Sequence, residues 1–183
     1  MNIFFVDPDA TKAAQSLVDK HVVKMVLESA QLLSTAHRVL DGHMVVAELK
    51  HRETGKVRKK KVWILPDLRN EVLYACTHMN HPSAVWCRQS VENYNWLVDH
   101  LHALGQEYTY RYGKKHKTIE QCFYHLQSPP YNLREWEWTP VPSCMDDKYK
   151  ISDDSLLNYR NYYRLGKANL HSWKKRAAPA WII

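Results

Sequence analysis

Residues 19–38 read DKHVVKMVLESAQLLSTAHR. As a helix, this stretch is apolar almost all the way round. One narrow line interrupts it: at 100° per residue, His21, Lys24, Glu28, Gln31 and Thr35 fall within roughly 80° of one another. Val22, Val23, Val26, Ala30 and Leu33 take the opposite side, and Met25, Leu32 and Ala36, with Leu27 on the other edge, flank the line. A surface helix has a broad polar face. A narrow polar stripe predicts a helix sunk into the protein with its stripe lining a cleft. Lys24 and Glu28 stand four residues apart and can meet. A carboxylate beside an amine in a cleft is a candidate site, because burial and pairing tune both groups. The plain alternative is an internal ion pair with a hydrogen-bonded His and Gln, although core ion pairs add little stability.

Around this helix the chain has the composition of a soluble globular protein. Of its 183 residues, 45% are apolar and 25% charged, which suits one domain, residues 1–183, with one core. Only five Gly argue against a turn-rich all-β fold, while seven Trp and 11 Tyr against three Phe favour aromatics with a polar handle. Lys and Arg outnumber Asp and Glu by 26 to 19, and the net charge of +7 points towards polyanions, DNA above all. The four cysteines form no CxxC pair, and no signal peptide or membrane-length apolar run is present. The expectation is a monomer with free thiols in the cytoplasm (a host cytoplasm if the chain is viral), with no membrane partner.

The remaining elements follow from local signals. NIFFV at 2–6 reads as a short strand, and Asp7 or Asp9 can cap a short helix after it. Asp19 can cap the long helix, which DG at 41–42 ends. Residues 44–64 hold two β-prone runs around ETGK and predict a hairpin. Its second arm carries Arg58, Lys59, Lys60 and Lys61, either a charged edge strand protected against pairing or an arm that touches phosphates. A second long helix is predicted from Pro82 to about Tyr110, and a short one over 115–126. Residues 127–153 are Pro-rich and irregular, the kind of long loop that carries function. A final helix, capped by Ser152 or Asp153, is predicted to run through the basic stretch to 176. The fold class is mainly α: a compact helical bundle with a small β-hairpin.

That last helix would align Arg160, Arg164, Lys167, His171 and Lys174, with Tyr163 among the tyrosines interleaved between them. Basic side chains neutralise phosphates and aromatic faces stack on bases, so these six are the expected nucleic-acid contacts. A solvated C-terminal helix is the alternative. Eleven histidines, including His78, His81, His43 and His51, invite a metal. HExxH and a supporting Cys pair are both missing, and no metal or other cofactor is expected. Walker A, GxGxxG and GxSxG motifs are absent as well.

LVDKHVVKMVLESAQLL, with Asp19, Lys24, Glu28, Gln31 and Leu33 at matching positions, resembles the pyrimidine-dimer DNA glycosylase family of endonuclease V type, including its bacterial relatives. HPSAVW, His81 to Trp86, is similar to the element that opens the family's next long helix. His21 stands seven residues before Glu28, as a His does before the catalytic Glu of the phage enzymes. The resemblance covers about 60 residues in two blocks. It implies a compact all-α domain acting on a pyrimidine in DNA, in which the amine at the mature N-terminus attacks the sugar C1′ and the Glu assists. Met1 is followed here by Asn2 rather than the small residue that favours Met removal. Lys24 is therefore the candidate replacement amine, because a buried lysine also forms Schiff bases.

Taken together, the candidate catalytic residues are Glu28, Lys24 and His21. A carboxylate can stabilise an oxocarbenium-like sugar or move a proton. Gln31, His81 and Arg88 are the expected substrate contacts, with Gln31 reading a pyrimidine edge and Arg88 holding a phosphate. Reaching a base in duplex DNA requires flipping it out. Three function classes fit: a glycosylase or glycosylase/lyase; a transferase on the same fold that builds a hypermodified thymine in viral DNA; and a DNA-binding protein without catalysis.

Overall fold

A computed structural model describes residues 1–50 and 53–182, with the side chains of 49 and 50 left out. Helix α2 (Asp19–Asp41) is the central element. It packs against α4 (Pro82–Cys87), α5 (Val91–Tyr112) and α6 (Lys117–Leu126), while α1 (Ala10–Ser16) lies on α5. Its apolar side is fully enclosed: Val22, Met25, Val26, Ala30, Leu32, Leu33 and Ala36 expose nothing. Each of the larger ones stabilises the fold by about 1.5–3 kcal/mol relative to exposure. Truncating Leu32 to Ala would cost about 2–5 kcal/mol through the cavity left behind. Val23 and Leu27 are exposed, so the apolar band does not close completely around the axis.

At the C-terminal end of α2 the chain turns at Gly42. A Cβ there would stand 2.5 Å from the Arg38 carbonyl oxygen and 2.9 Å from that of Ile64, so only glycine fits. Strands β1 (His43–Lys50) and β2 (Val57–Ile64) follow as an antiparallel pair in register from His43↔Ile64 to Lys50↔Val57. Gly55, with φ +66°, supplies the left-handed residue of the ETGK turn. His51, one of the hairpin histidines, lies outside the described residues. A single-turn helix, α3 (Arg69–Val72), was not foreseen; Asp67 accepts the Arg69 amide at its start.

Three expectations need correction. Residues 2–6 form no strand: Ile3, Phe4, Phe5 and Val6 are buried as an irregular segment, with Phe4 at φ +55°. Hydrophobicity put this stretch in the core, but among the described residues no second strand lies beside it. The helix expected over 82–110 is two helices. Ser90 leaves the helical region at φ −149° and caps α5 through its hydroxyl, which accepts the Asn93 amide. Asn93 then donates to the Trp86 carbonyl that the break exposes. The last helix, α7 (Ser155–Gly166), is capped by Asp154 and stops ten residues early. A 3-10 turn (Ala168–Leu170) redirects the chain so that Asp19 accepts the Ser172 hydroxyl and the Lys174 amide. Asp19 therefore ties α2 to the C-terminal segment and to buried Arg111 instead of capping its own helix.

Candidate active site

The stripe on α2 divides along its length. His21, at its start, is 6% exposed and lies under Phe4, ring centroids 4.3 Å apart, with Nδ1 on the Tyr163 hydroxyl. Burial, reinforced by the charges of Lys167 and Lys24, pushes its pKa down to about 4. It is a neutral core histidine at pH 7. Thr35, at the other end, exchanges hydrogen bonds with the backbone of Thr77.

Between these two anchored ends lies Glu28, its side chain 12% exposed. Three nitrogens converge on its carboxylate. Lys24 Nζ is 3.0 Å from Oε1. The Asn2 backbone N–H donates to Oε2 at 3.1 Å. The α-ammonium of Met1 lies 3.9 Å from Oε2, beneath a Met1 side chain only 4% exposed. Lys24 differs from Met1 in environment, since its own side chain is 66% exposed. The desolvation that would favour it as a nucleophile is missing.

Asn2 builds the turn that delivers the chain's first residues here. Its Oδ1 accepts the amides of Ile3 and Phe4 at 2.7 and 3.2 Å, and its Nδ2 donates to the Cys144 carbonyl at 2.8 Å. These bonds hold Phe4 in its left-handed conformation and its ring on His21. Asn side chains make such local turns readily. The role of Asn2 was missed because a single Asn next to Met1 carries no pattern.

His81 caps α4, its Nδ1 accepting the Ser83 amide. Burial lowers its pKa, the charges of the N-terminal ammonium and His78 lower it further, and Glu28 opposes them. His81 thus feels the charges of the Glu28 cluster. Gln31 is half-buried one turn beyond Glu28 and makes no hydrogen bond among the described residues. Its amide is free for a ligand. Arg88 donates to the Ala84 carbonyl, and its charge acts on Cys76 and Cys87.

The C-terminal basic residues do not form one helical line. Arg160 and Arg164 are on α7; Lys167, His171 and Lys174 follow its end. Tyr163, expected to stack on bases, is fully buried, its hydroxyl between His21 and the Val18 amide. Arg160 donates to the Val6 carbonyl and covers Trp181, and His171 bonds the Tyr163 carbonyl. Lys167 sits over the Tyr162 ring. Arg164 and Lys174 are exposed, Lys174 with its ammonium over Tyr112.

A second polar centre sits at the far end of α2. Asp41 accepts Arg69 Nη1 at 2.6 Å and the amides of Tyr131 and Asn132, both at 3.0 Å. His37 and Arg69 line an adjoining cavity of about 520 Å³ with Asp67, Tyr124, His125 and Tyr131. No cluster of three or more His, Cys, Asp or Glu among the described residues is arranged to hold a metal ion.

Comparison with curated proteins gives no match, and comparison with solved structures gives none either. A family model does match, over residues 1–121, and its description is pyrimidine dimer DNA glycosylase. That span contains Asn2, Lys24, Glu28, Gln31 and His81, the residues gathered at and around the carboxylate. With two thirds of its length matched, the chain belongs to the pyrimidine dimer DNA glycosylase family.

Proposed function

We propose that this protein is a DNA glycosylase acting on pyrimidine lesions, with the amine at the head of the chain as nucleophile and Glu28 as its proton partner. One observation carries the reading: the Met1 and Asn2 nitrogens stand 3.9 and 3.1 Å from a single mostly buried carboxylate oxygen. Either residue can present the α-amine, according to whether Met1 is retained. The site is positioned to hold an amine in a partly desolvated place beside a base, which is what amine nucleophiles need.

Glu28 Oε2 first takes one proton from the α-ammonium; the lone pair so freed forms a bond to the deoxyribose C1′ as the C1′–N1 bond to the pyrimidine breaks, its electron pair leaving with the base, which takes up that proton from Glu28. A second amine proton passes to Glu28 Oε2. Glu28 then returns that proton to O4′ as the C1′–O4′ bond opens, leaving an iminium between the chain and C1′. Lys24, on the other carboxylate oxygen, orients Glu28. Gln31, with its unpaired amide, and His81 contact the flipped nucleotide. Net charge +7 supports a DNA partner. Among the described residues no helix is long and apolar enough to cross a membrane.

The test is an ultraviolet-irradiated duplex carrying pyrimidine dimers, compared with the same duplex unirradiated. Alkali-labile sites should appear only in the irradiated DNA, and Glu28→Gln should abolish them. An intact duplex, or one containing a heavier nucleoside by mass spectrometry, would remove this reading, the second result in favour of base modification by group transfer.

A further inference from the structure

The hairpin carries charge that the Glu28 site does not use. On β2, Val57, Arg58, Lys59, Lys60 and Lys61 are all exposed, and Lys56 precedes them in the turn. Among the described residues one ion pair touches this run, Glu48 at 3.9 Å from Lys59. On the same face as Lys59 and Lys61 lie exposed apolar side chains: Met44 is 46%, Val46 57% and Val57 58% exposed. Protection of an edge strand needs a charge or two on one edge. Here cations occupy both faces of a free ribbon about 26 Å long, at about 3.3 Å per residue.

An isolated two-stranded hairpin is marginal in water, and this one is clamped at its root. Arg38 donates five hydrogen bonds: to the carbonyls of Trp63, Tyr74, Leu73 and Asn70, and to Asn70 Oδ1, which also accepts the Leu65 amide. The guanidinium has no donor left over. Arg38 thereby fixes the ribbon to α2, the helix that carries Glu28. The hairpin root stands at the C-terminal end of α2, about 20 Å along the helix from Glu28 at 1.5 Å per residue.

We propose that the hairpin 43–64 is a DNA arm: its cations grip backbone phosphates of the duplex to one side of the nucleotide held at Glu28. Resting on the functional reading above, it assigns the arm affinity and footprint, and no chemistry. The distance from Glu28 to the hairpin root corresponds to about six base pairs. The arm's phosphates begin there and lie on one side of the lesion only.

The experiment compares the full chain with a Lys59→Gln, Lys60→Gln, Lys61→Gln variant and a charge-preserving Lys→Arg triple, all sites being exposed. Binding to a 25-base-pair duplex is titrated against salt. The Gln triple should bind more weakly, and its slope of log affinity against log salt should fall by about 0.9 for each phosphate that is no longer neutralised. The Arg triple should bind as wild type. Shortening the duplex on one side of the lesion should weaken wild type and leave the Gln triple unaffected, and single-turnover cleavage at saturating DNA should be the same for all three. Equal isotherms and slopes for wild type and the Gln triple would overturn the arm while leaving the glycosylase reading intact. A wild type that binds duplex with the expected slope difference yet cleaves nothing would overturn the glycosylase reading and leave the arm.

Discussion

Glu28 and Asp41 are carboxylates on one helix, 13 residues or about 20 Å apart, and both are mostly buried. Their partners differ in kind. Asp41, 3% exposed, is saturated by a guanidinium and two backbone amides, with His37 Nδ1 3.8 Å away. These bonds hold its carboxyl well below the usual carboxylate range against the opposing effect of burial. Its donors are fixed and cannot act as nucleophiles. Glu28 meets two ammonium groups and one backbone amide, and a neighbouring glutamine amide has no partner among the described residues. A carboxylate surrounded by fixed donors is a fastener, whereas one surrounded by amines can exchange protons with them.

Exchanging the two roles is the strongest way to break this contrast. Glu28→Gln keeps the shape and removes the proton acceptor. Dimer cleavage should fall about 10²- to 10⁴-fold while the melting temperature barely moves. Asp41→Ala removes one of the two carboxylates on Arg69, which keeps Asp67, and leaves two amides without their acceptor. It should cost about 1–3 kcal/mol of stability in denaturant titration and leave the cleavage rate of the folded fraction near wild type. Equal rate losses in the two variants would show that the distinction is not chemical.

Acid sharpens the contrast on the stability side. His21 and His100 are buried, and burial pushes their pKa values down to about 4 and about 3. His100 exposes nothing, and neither ring nitrogen has a hydrogen-bond partner among the described residues. As pH falls below 6.5 the unfolded chain takes up protons that the folded chain refuses. Stability is therefore lost from pH 6.5 down to about 4 for His21 and about 3 for His100, at about 1.4 kcal/mol per pH unit for each. His100→Phe should reduce the slope of stability against pH by one such increment, measured by urea unfolding at pH 4.5 to 6.5. An unchanged slope would mean that the histidine is hydrated in the folded state.

Much of this was legible in the sequence, for reasons that differ between elements. The α2 stripe singled out Glu28 and Lys24 because helical periodicity places side chains reliably within one element. It could not separate His21 from Glu28, since which part of the stripe is covered depends on residues 2–6 and on Tyr163, both distant in sequence. The hairpin followed from β-prone runs about a Gly turn. The break at Ser90 carried a signal, a Ser three residues before a buried Asn, but the apolar pattern of 82–110 concealed it. The line of Arg160 to Lys174 failed because Asp19 pulls Ser172 and Lys174 out of helical register, a tertiary demand with no local trace.

Lys24 offers the smallest effect and a fine discrimination. Lys24→Met removes the bond to Oε1 and leaves the N-terminal nitrogens at Oε2. Cleavage should drop less than about tenfold, roughly 1.4 kcal/mol of barrier, with the larger part in the rate constant of the chemical step. A loss as large as that of Glu28→Gln would transfer the nucleophile's role to Lys24.

The most direct measurement is covalent trapping. An iminium between protein and C1′ is reduced by borohydride to a stable amine, and peptide mapping then names the nitrogen. Incubating the protein with dimer-containing duplex in borohydride should leave the sugar on the α-amine of the peptide that begins at Met1 or Asn2, and Glu28→Gln should trap little. An adduct on Lys24, or efficient cleavage with no adduct at all, would contradict the account.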